Sequence, residues 1–252
     1  THCISSAASD VYKRQMYEAE RQSSFFTTGG LAAVHVEDRS KQGIWNGFKN
    51  KETYATSGPQ ILLWFDLITT SETFPMGSKV NLEKNPVFEV KAVGSFKQKP
   101  GCPDFGLSAN DNARLKKICG GECFNPSNER RNITRIEVIK ITPQNYNDEP
   151  VDELIEDTWK VFDCKPSQDG CKIRFSDREF QRNGRDSVYY VRAIEEPSLR
   201  VNGDNLRCEY DDQGNCIKVN ICHGSYLTDK KDDCVSLSEE RAWSSPIYVN
   251  KI

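Results

Sequence analysis

The side chains able to make or break bonds are few. Of three histidines, His2 precedes a stretch set aside below, which leaves His35 and His223 as the whole imidazole supply for general-base or metal work. His35 closes an apolar run and is followed by Val36, Glu37 and Asp38. A histidine with adjacent carboxylates could help a metal or proton-transfer site, but a half-buried structural histidine is the better reading. His223 sits beside Cys222 in loop-like sequence and reads as a surface residue. No Walker loop, G-x-G-x-x-G, G-x-S-x-G, H-E-x-x-H or H-x-H occurs. No catalytic residue is therefore assigned within this chain. The run Asp211-Asp212-Gln213-Gly214-Asn215 resembles the start of a calcium loop but lacks its alternating ligands and closing Glu, so a hairpin turn is expected there. Asn132-Ile133-Thr134 is a glycosylation sequon.

Cysteine is the more informative residue. Apart from Cys3, all of it falls after residue 100: Cys102, Cys119, Cys123, Cys164, Cys171, Cys208, Cys216, Cys222 and Cys234. Clustering among Gly, Asp and Pro is expected of disulfides in an oxidising compartment. Cys164 and Cys171 flank KPSQDG, and Cys208 and Cys216 flank EYDDQGN, so each pair is placed to close a turn between successive strands. Cys222 and Cys234 would close a longer loop, and Cys102, Cys119 and Cys123 compete for one bond. Structural zinc is the alternative, with His223 as a further ligand, but there is no C-x-x-C.

The elements that position these residues follow from periodicity. A turn and short strand are expected over Thr28 to Val36, then a helix capped by Ser40 with Ile44, Trp45 and Phe48 as its apolar stripe. A strand at Thr53 to Ser57 ends at Gly58-Pro59, where a domain boundary is placed. Beyond it come strands separated by turn chemistry: Gln60 to Phe65, Lys79 to Leu82, Val87 to Val93, Ile133 to Ile141, Trp159 to Cys164, Ile173 to Phe175, Ser187 to Glu195, Cys216 to Ile221 and Pro246 to Val249. Ser187 to Glu195, apolar on both faces, is expected to be central. A short helix is expected within Ser108 to Ile118. Trp159, Trp243, Tyr189 and Tyr190 are placed in the core, with a binding edge as the alternative. The fold class is mainly β, a disulfide-stapled β-sandwich-like domain preceded by a strand-helix-strand unit.

A formal charge of -3, from Lys+Arg 34 against Asp+Glu 37, provides no broad positive field for nucleic acid. No apolar stretch approaches the roughly 20 residues of a membrane-spanning helix. Ser5 to Gln15, SSAASDVYKRQ, reads as the translation of a transposon-type sequencing-library adapter, so residues 1–15 are set aside as an artefact of gene recovery.

The segment GGLAAVHVEDRSKQGIWNGFKNKETYATSGPQILLWFD closely resembles the part that closes the N-terminal domain in the family called domain of unknown function 3604. FPMGSKV, NPVFEVKAVGSFKQKPGCPDFG, GECFNPSNERR, ITRIEVIKI, GRDSVYYVRAIEEP and ERAWSSPIYV resemble that family's terminal β-region, so the resemblance runs from Gly29 to Val249. The family resembles enzymes of the polymerase-and-histidinol-phosphatase fold, a distorted (βα) barrel. It implies that residues 16–58 are the end of such a barrel and residues 59–252 a β-sandwich-like accessory domain with cysteine-rich insertions. It also implies divalent ions (zinc, manganese or iron) held by H-x-H, D-H and S-D-x-H motifs upstream, with metal-activated water attacking a phosphate or carboxyl ester. His35, Tyr54 and Thr56 would then approach the metal cleft, with no cofactor bound by this chain itself. Its partners would be the preceding barrel and a small-molecule ester, its location periplasmic or secreted. The alternatives are a carbohydrate- or protein-binding module and a barrel protein that has lost its ligands, a pseudoenzyme.

Overall fold

The computed structural model describes residues 29–102, 107–108, 111, 113–114, 124–201, 208–219 and 235–252. These residues are mainly β and divide into two units. The larger takes Gly30–Ser95, Arg130–Glu196 and Glu240–Ile252; the described residues of the smaller are Gly29 and those within Phe96–Glu129 and Pro197–Glu239.

In the larger unit, β12 (Ser187–Glu195) organises an eight-stranded sheet. Alternation sends Tyr189, Val191 and Ala193 inward, where all three are fully buried. One edge of β12 pairs with β9 (Ile133–Ile141). The other edge is shared: Ser187–Tyr189 faces β18 (Ile247–Lys251), and Arg192–Ile194 faces β17 (Arg241–Ser244). At the changeover the Val191 amide donates to the Ser244 hydroxyl at 3.0 Å, so no buried N–H is orphaned there. Beyond β17 lie β2 (Thr53–Thr56) and β1 (Leu31–Val34). Beyond β18 lies β5 (Lys79–Leu82), in parallel, and on the far side of β9 lies β10 (Ile155–Asp163).

A second sheet runs in the order β11 (Cys171–Ser176), β6 (Val87–Val93), β3 (Leu62–Ile68), β4 (Thr73–Pro75). Leu63, Phe65 and Leu67 of β3 and Phe88, Val90 and Ala92 of β6 are buried. The Phe88 ring lies 5.4 Å from Phe65, 5.2 Å from Phe175 and 4.7 Å from Tyr189, so side chains of both sheets share one core. The strand expected at Gln60 to Phe65 starts at Leu62 and continues through Asp66, because that carboxylate takes an outer position in the alternation. The strand expected over Thr28 to Val36 is confined to Leu31–Val34.

Between β1 and β2 stands α1 (Lys41–Lys49), capped by the Ser40 hydroxyl, which accepts from the Gly43 amide at 3.0 Å. Its buried residue is Gly47, where a Cβ would meet a Val34 methyl at 2.5 Å. The helix thus comes close to the chain at Val34 through a glycine, and Ile44, Trp45 and Phe48 remain outside, Trp45 being 64% exposed.

The Cys164–Cys171 disulfide forms as expected, with a different consequence. It joins the end of β10 to the start of β11, which are not partners but belong to different sheets, so it staples sheet to sheet. A one-turn helix, α2 (Phe180–Asn183), ends at Gly184 in the left-handed conformation, φ 64°.

In the smaller unit three strand pairs are described: β7 (Phe96–Pro100) with β8 (Phe124–Arg130), and, both antiparallel, β13 (Ser198–Val201) with β16 (Val235–Ser238) and β14 (Cys208–Tyr210) with β15 (Cys216–Val219). Cys208–Cys216 crosses the β14–β15 hairpin. Asp211 closes its turn by accepting from the Gln213 and Asn215 amides at 2.9 and 2.8 Å, so the calcium-like sequence is a turn. Cys102 is disulfide-bonded. Cys119, Cys123, Cys222, Cys234 and His223, and most of the helix expected within Ser108 to Ile118, lie outside the described residues.

Candidate functional site

One group of polar and aromatic side chains of the larger unit surrounds His35, just past β1. Its backbone N–H donates to the Glu52 carbonyl at 2.8 Å, fixing the entry to α1 against the residue preceding β2. Its ring Nε2 lies 2.8 Å from the Leu63 carbonyl of β3. A carbonyl only accepts, so Nε2 carries a hydrogen and donates it to Leu63. The imidazole sits between Tyr54 and Trp64, at 5.4 and 5.8 Å.

Trp64 and Asp66 occupy the outer face of β3, and register places Lys91 and Glu89 of β6 directly opposite them. The Lys91 ammonium stands 5.3 Å from the centre of the Trp64 ring, a cation–π contact. Glu89 is held by Lys172 of β11 at 2.8 Å. Partial burial pushes the Asp66 carboxyl above the usual carboxylate range; the Glu89 charge pushes the same way and His35 opposes. Burial likewise raises the Tyr54 phenol, with Leu63 opposing.

The three residues expected near a cleft therefore separate. His35 and Tyr54 meet; Thr56, 4% exposed, accepts from the Gly58 amide at 3.2 Å and serves the turn after β2. Asp38, next-but-two to His35, accepts from the Ser40 amide at 2.8 Å in the turn before α1, and its carboxyl is held low by the Ser40 side chain first and then by that amide. Asp66, Glu89, Trp64 and Lys91 were not singled out in the sequence. Their signal lay in LLWFDLI and VFEVKAV, where positions two apart share one face of a strand.

The arrangement sets the Asp66 and Glu89 carboxyls and the Lys91 ammonium beside an aromatic wall of Trp64. It does not fit a metal ion: among the described residues no three His, Cys, Asp or Glu side chains gather as ligands, and the His35 Nε2 is committed to Leu63. No reaction step is derived through an ion at this place. The sequon residue Asn132 donates its side-chain amide to Glu196 at 2.8 Å.

Residues 2–95 match the family model described as "Protein of unknown function (DUF3604)". The matched span includes Ser5 to Gln15 and covers β1 through β6, so His35, Tyr54, Trp64, Asp66, Glu89 and Lys91 all lie inside it and Lys172 outside. No curated protein and no solved structure matches the chain. Among the described residues no helix is long and apolar enough to cross a membrane.

Proposed function

We propose that this chain is the non-catalytic, β-sandwich-like closing part of an exported, metal-dependent ester hydrolase of the polymerase-and-histidinol-phosphatase type, in which the preceding barrel carries the metal ligands. The observation that carries the reading is the α1 surface. Ile44, Trp45 and Phe48 form an exposed apolar stripe of α1 on the strand-helix-strand unit, which is the part that the resemblance assigns to the end of a barrel. Isolated exposed apolar residues are ordinary; a helical stripe of this size is a packing face. Among the described residues β1 is the last strand of its sheet and leaves an edge for further chain. The Cys164–Cys171 and Cys208–Cys216 bonds support export. The ions in the barrel would supply Lewis-acid activation of water and ester. In this chain His35 and Tyr54 would brace the barrel end against the outer face of β3. The artefact reading of residues 1–15 belongs to the same proposal.

The test compares this chain with the longer product of the natural gene on p-nitrophenyl phosphate and p-nitrophenyl acetate, with added manganese or zinc. The expected result is hydrolysis by the longer protein, abolished by chelation, and none by this chain. Hydrolysis by this chain that survives chelation overturns the proposal, as does a longer protein with no barrel before residue 29.

A further inference from the structure

The outer strands β10 and β11 of the two sheets border an open groove of about 630 Å³. Its charged lining is of one sign: Lys160 from β10, Arg174 from β11 and Arg178 just after it, with Phe162 and Val161 as the apolar wall and Ser176 beside Lys160. Among the described residues no carboxylate lines it.

The cations are not consumed by internal ion pairs. Among the described residues neither Arg174 nor Arg178 has an ion-pair partner: Glu89, opposite Arg174 in register, is bonded by Lys172, and Glu179, next to Arg178, is bonded by Arg182. Asp177, between Ser176 and Arg178, is fully buried and bonded to Lys140. Lys160 is held in place, its ammonium donating to the Ser176 carbonyl at 3.0 Å and standing 4.5 Å from the centre of the Trp159 ring. Two of its three protons remain for a ligand.

Two guanidinium groups and an oriented ammonium around a partly apolar floor present the donors that oxyanions accept from. Guanidinium binds carboxylate, sulfate and phosphate through paired N–H donors, and the fixed ammonium contributes a point charge with little ordering cost. The spread of three cations over two strands favours a ligand with more than one oxyanion, and Phe162 and Val161 offer contact to a carbon framework between them. The Cys164–Cys171 bond ties the two strands together at one end of the groove, which limits the ordering a ligand would have to impose.

We propose that the groove between β10 and β11 binds a small polyanionic ligand, carrying phosphate or carboxylate groups, through Lys160, Arg174 and Arg178. The assignment is independent of the hydrolase reading.

Isothermal titration of the full chain with inorganic tripolyphosphate and, separately, with citrate tests it and distinguishes phosphate from carboxylate chemistry. The expected result is saturable binding of at least one probe that weakens as salt rises and falls at least tenfold in the Arg174→Gln/Arg178→Gln double variant. Each single substitution is titrated as well, so that misfolding of the double variant does not hide the result. Lys218→Gln, in the other unit, is expected to leave binding unchanged. The proposal is overturned if neither probe binds, if the arginine variants bind as tightly as the parent, or if Lys218→Gln weakens binding as much as they do.

Discussion

The Lys140 ammonium lies 2.7 Å from the Asp177 carboxylate, with the two side chains only 5% and 0% exposed. The same carboxylate oxygen accepts from the Tyr189 hydroxyl at 2.7 Å, and the other oxygen accepts from the Glu179 amide at 2.9 Å. Burial by itself would push the Asp177 carboxyl up; Lys140, Tyr189 and Glu179 outweigh it and hold the group below the usual carboxylate range. The charge therefore stays ionised inside the protein, and Lys140 also stands 5.3 Å from the Trp159 ring.

Removing one partner leaves the other buried and unpaired. Lys140→Met is expected to cost about 3–5 kcal/mol of stability. Urea unfolding at neutral pH checks this, and a loss under about 1 kcal/mol would show that Asp177 finds another counter-charge or takes up a proton at little cost.

The same cluster sets two pH limits. A carboxyl whose folded value is lowered contributes stability that is fully present above its ordinary 3.8 and disappears as pH falls through the folded value, so Asp177 predicts acid weakening below about that pH. The Tyr189 phenol is pushed up, first by burial and then by the charge of Asp177, so its contribution is complete below the ordinary 10.0 and is lost as pH rises beyond it. Unfolding midpoints, followed from the acid side of the first limit to the alkaline side of the second, should fall at both ends; Tyr189→Phe should flatten the alkaline limb and, by removing one donor to Asp177, make the acid weakening set in at higher pH.

Asp66 carries the opposite sign. Its raised carboxyl binds a proton more tightly in the folded chain, so ionisation at neutral pH works against folding. Asp66→Asn is expected to raise the thermal midpoint at neutral pH and to give no gain below the ordinary carboxylate value of 3.8. Equal gains at both would place the effect in packing and not in charge.

The two apolar surfaces of the larger unit should respond differently to substitution. Phe88, fully buried against Phe65, Phe175 and Tyr189, is expected to cost about 3–5 kcal/mol when changed to alanine. Trp45→Lys and Phe48→Lys, on the exposed stripe, are expected to change stability by no more than about 0.5 kcal/mol. Chemical denaturation of the three variants reads this directly; a large loss at Trp45 would mean that α1 already buries that face.

Replacing Cys164 and Cys171 together by serine is expected to cost about 2–3 kcal/mol, the loop-closure entropy returned to the unfolded chain. Comparing denaturation of parent and variant, with and without reductant, checks it: reductant should weaken the parent toward the variant. Unchanged stability would mean that the two edges are held together by the core alone.

Local rules made much of the fold legible from sequence. The Ser40 cap, the breaker at Gly58-Pro59, the alternation of SVYYVRAI and the turn chemistry at Asp211 depend on neighbours in sequence, and each element is present, with strand ends shifted by a few residues at Leu31 and Leu62. Cysteine spacing similarly marked two disulfides.

Only the tertiary structure decided what those elements face, because pairing across the chain has no local signature. That β12 divides one edge between β17 and β18, and that Cys164–Cys171 joins strands of different sheets, depends on contacts between distant segments. Gly94 shows the same at one residue: its neighbours in sequence say nothing of the Arg131 carbonyl, which a Cβ there would meet at 1.9 Å. The chemistry followed the same rule. His35 stood out by type, whereas Asp66 and Glu89 became its companions only when β3 and β6 paired in register, and the cations of the groove converged only when the edges of two sheets were brought side by side.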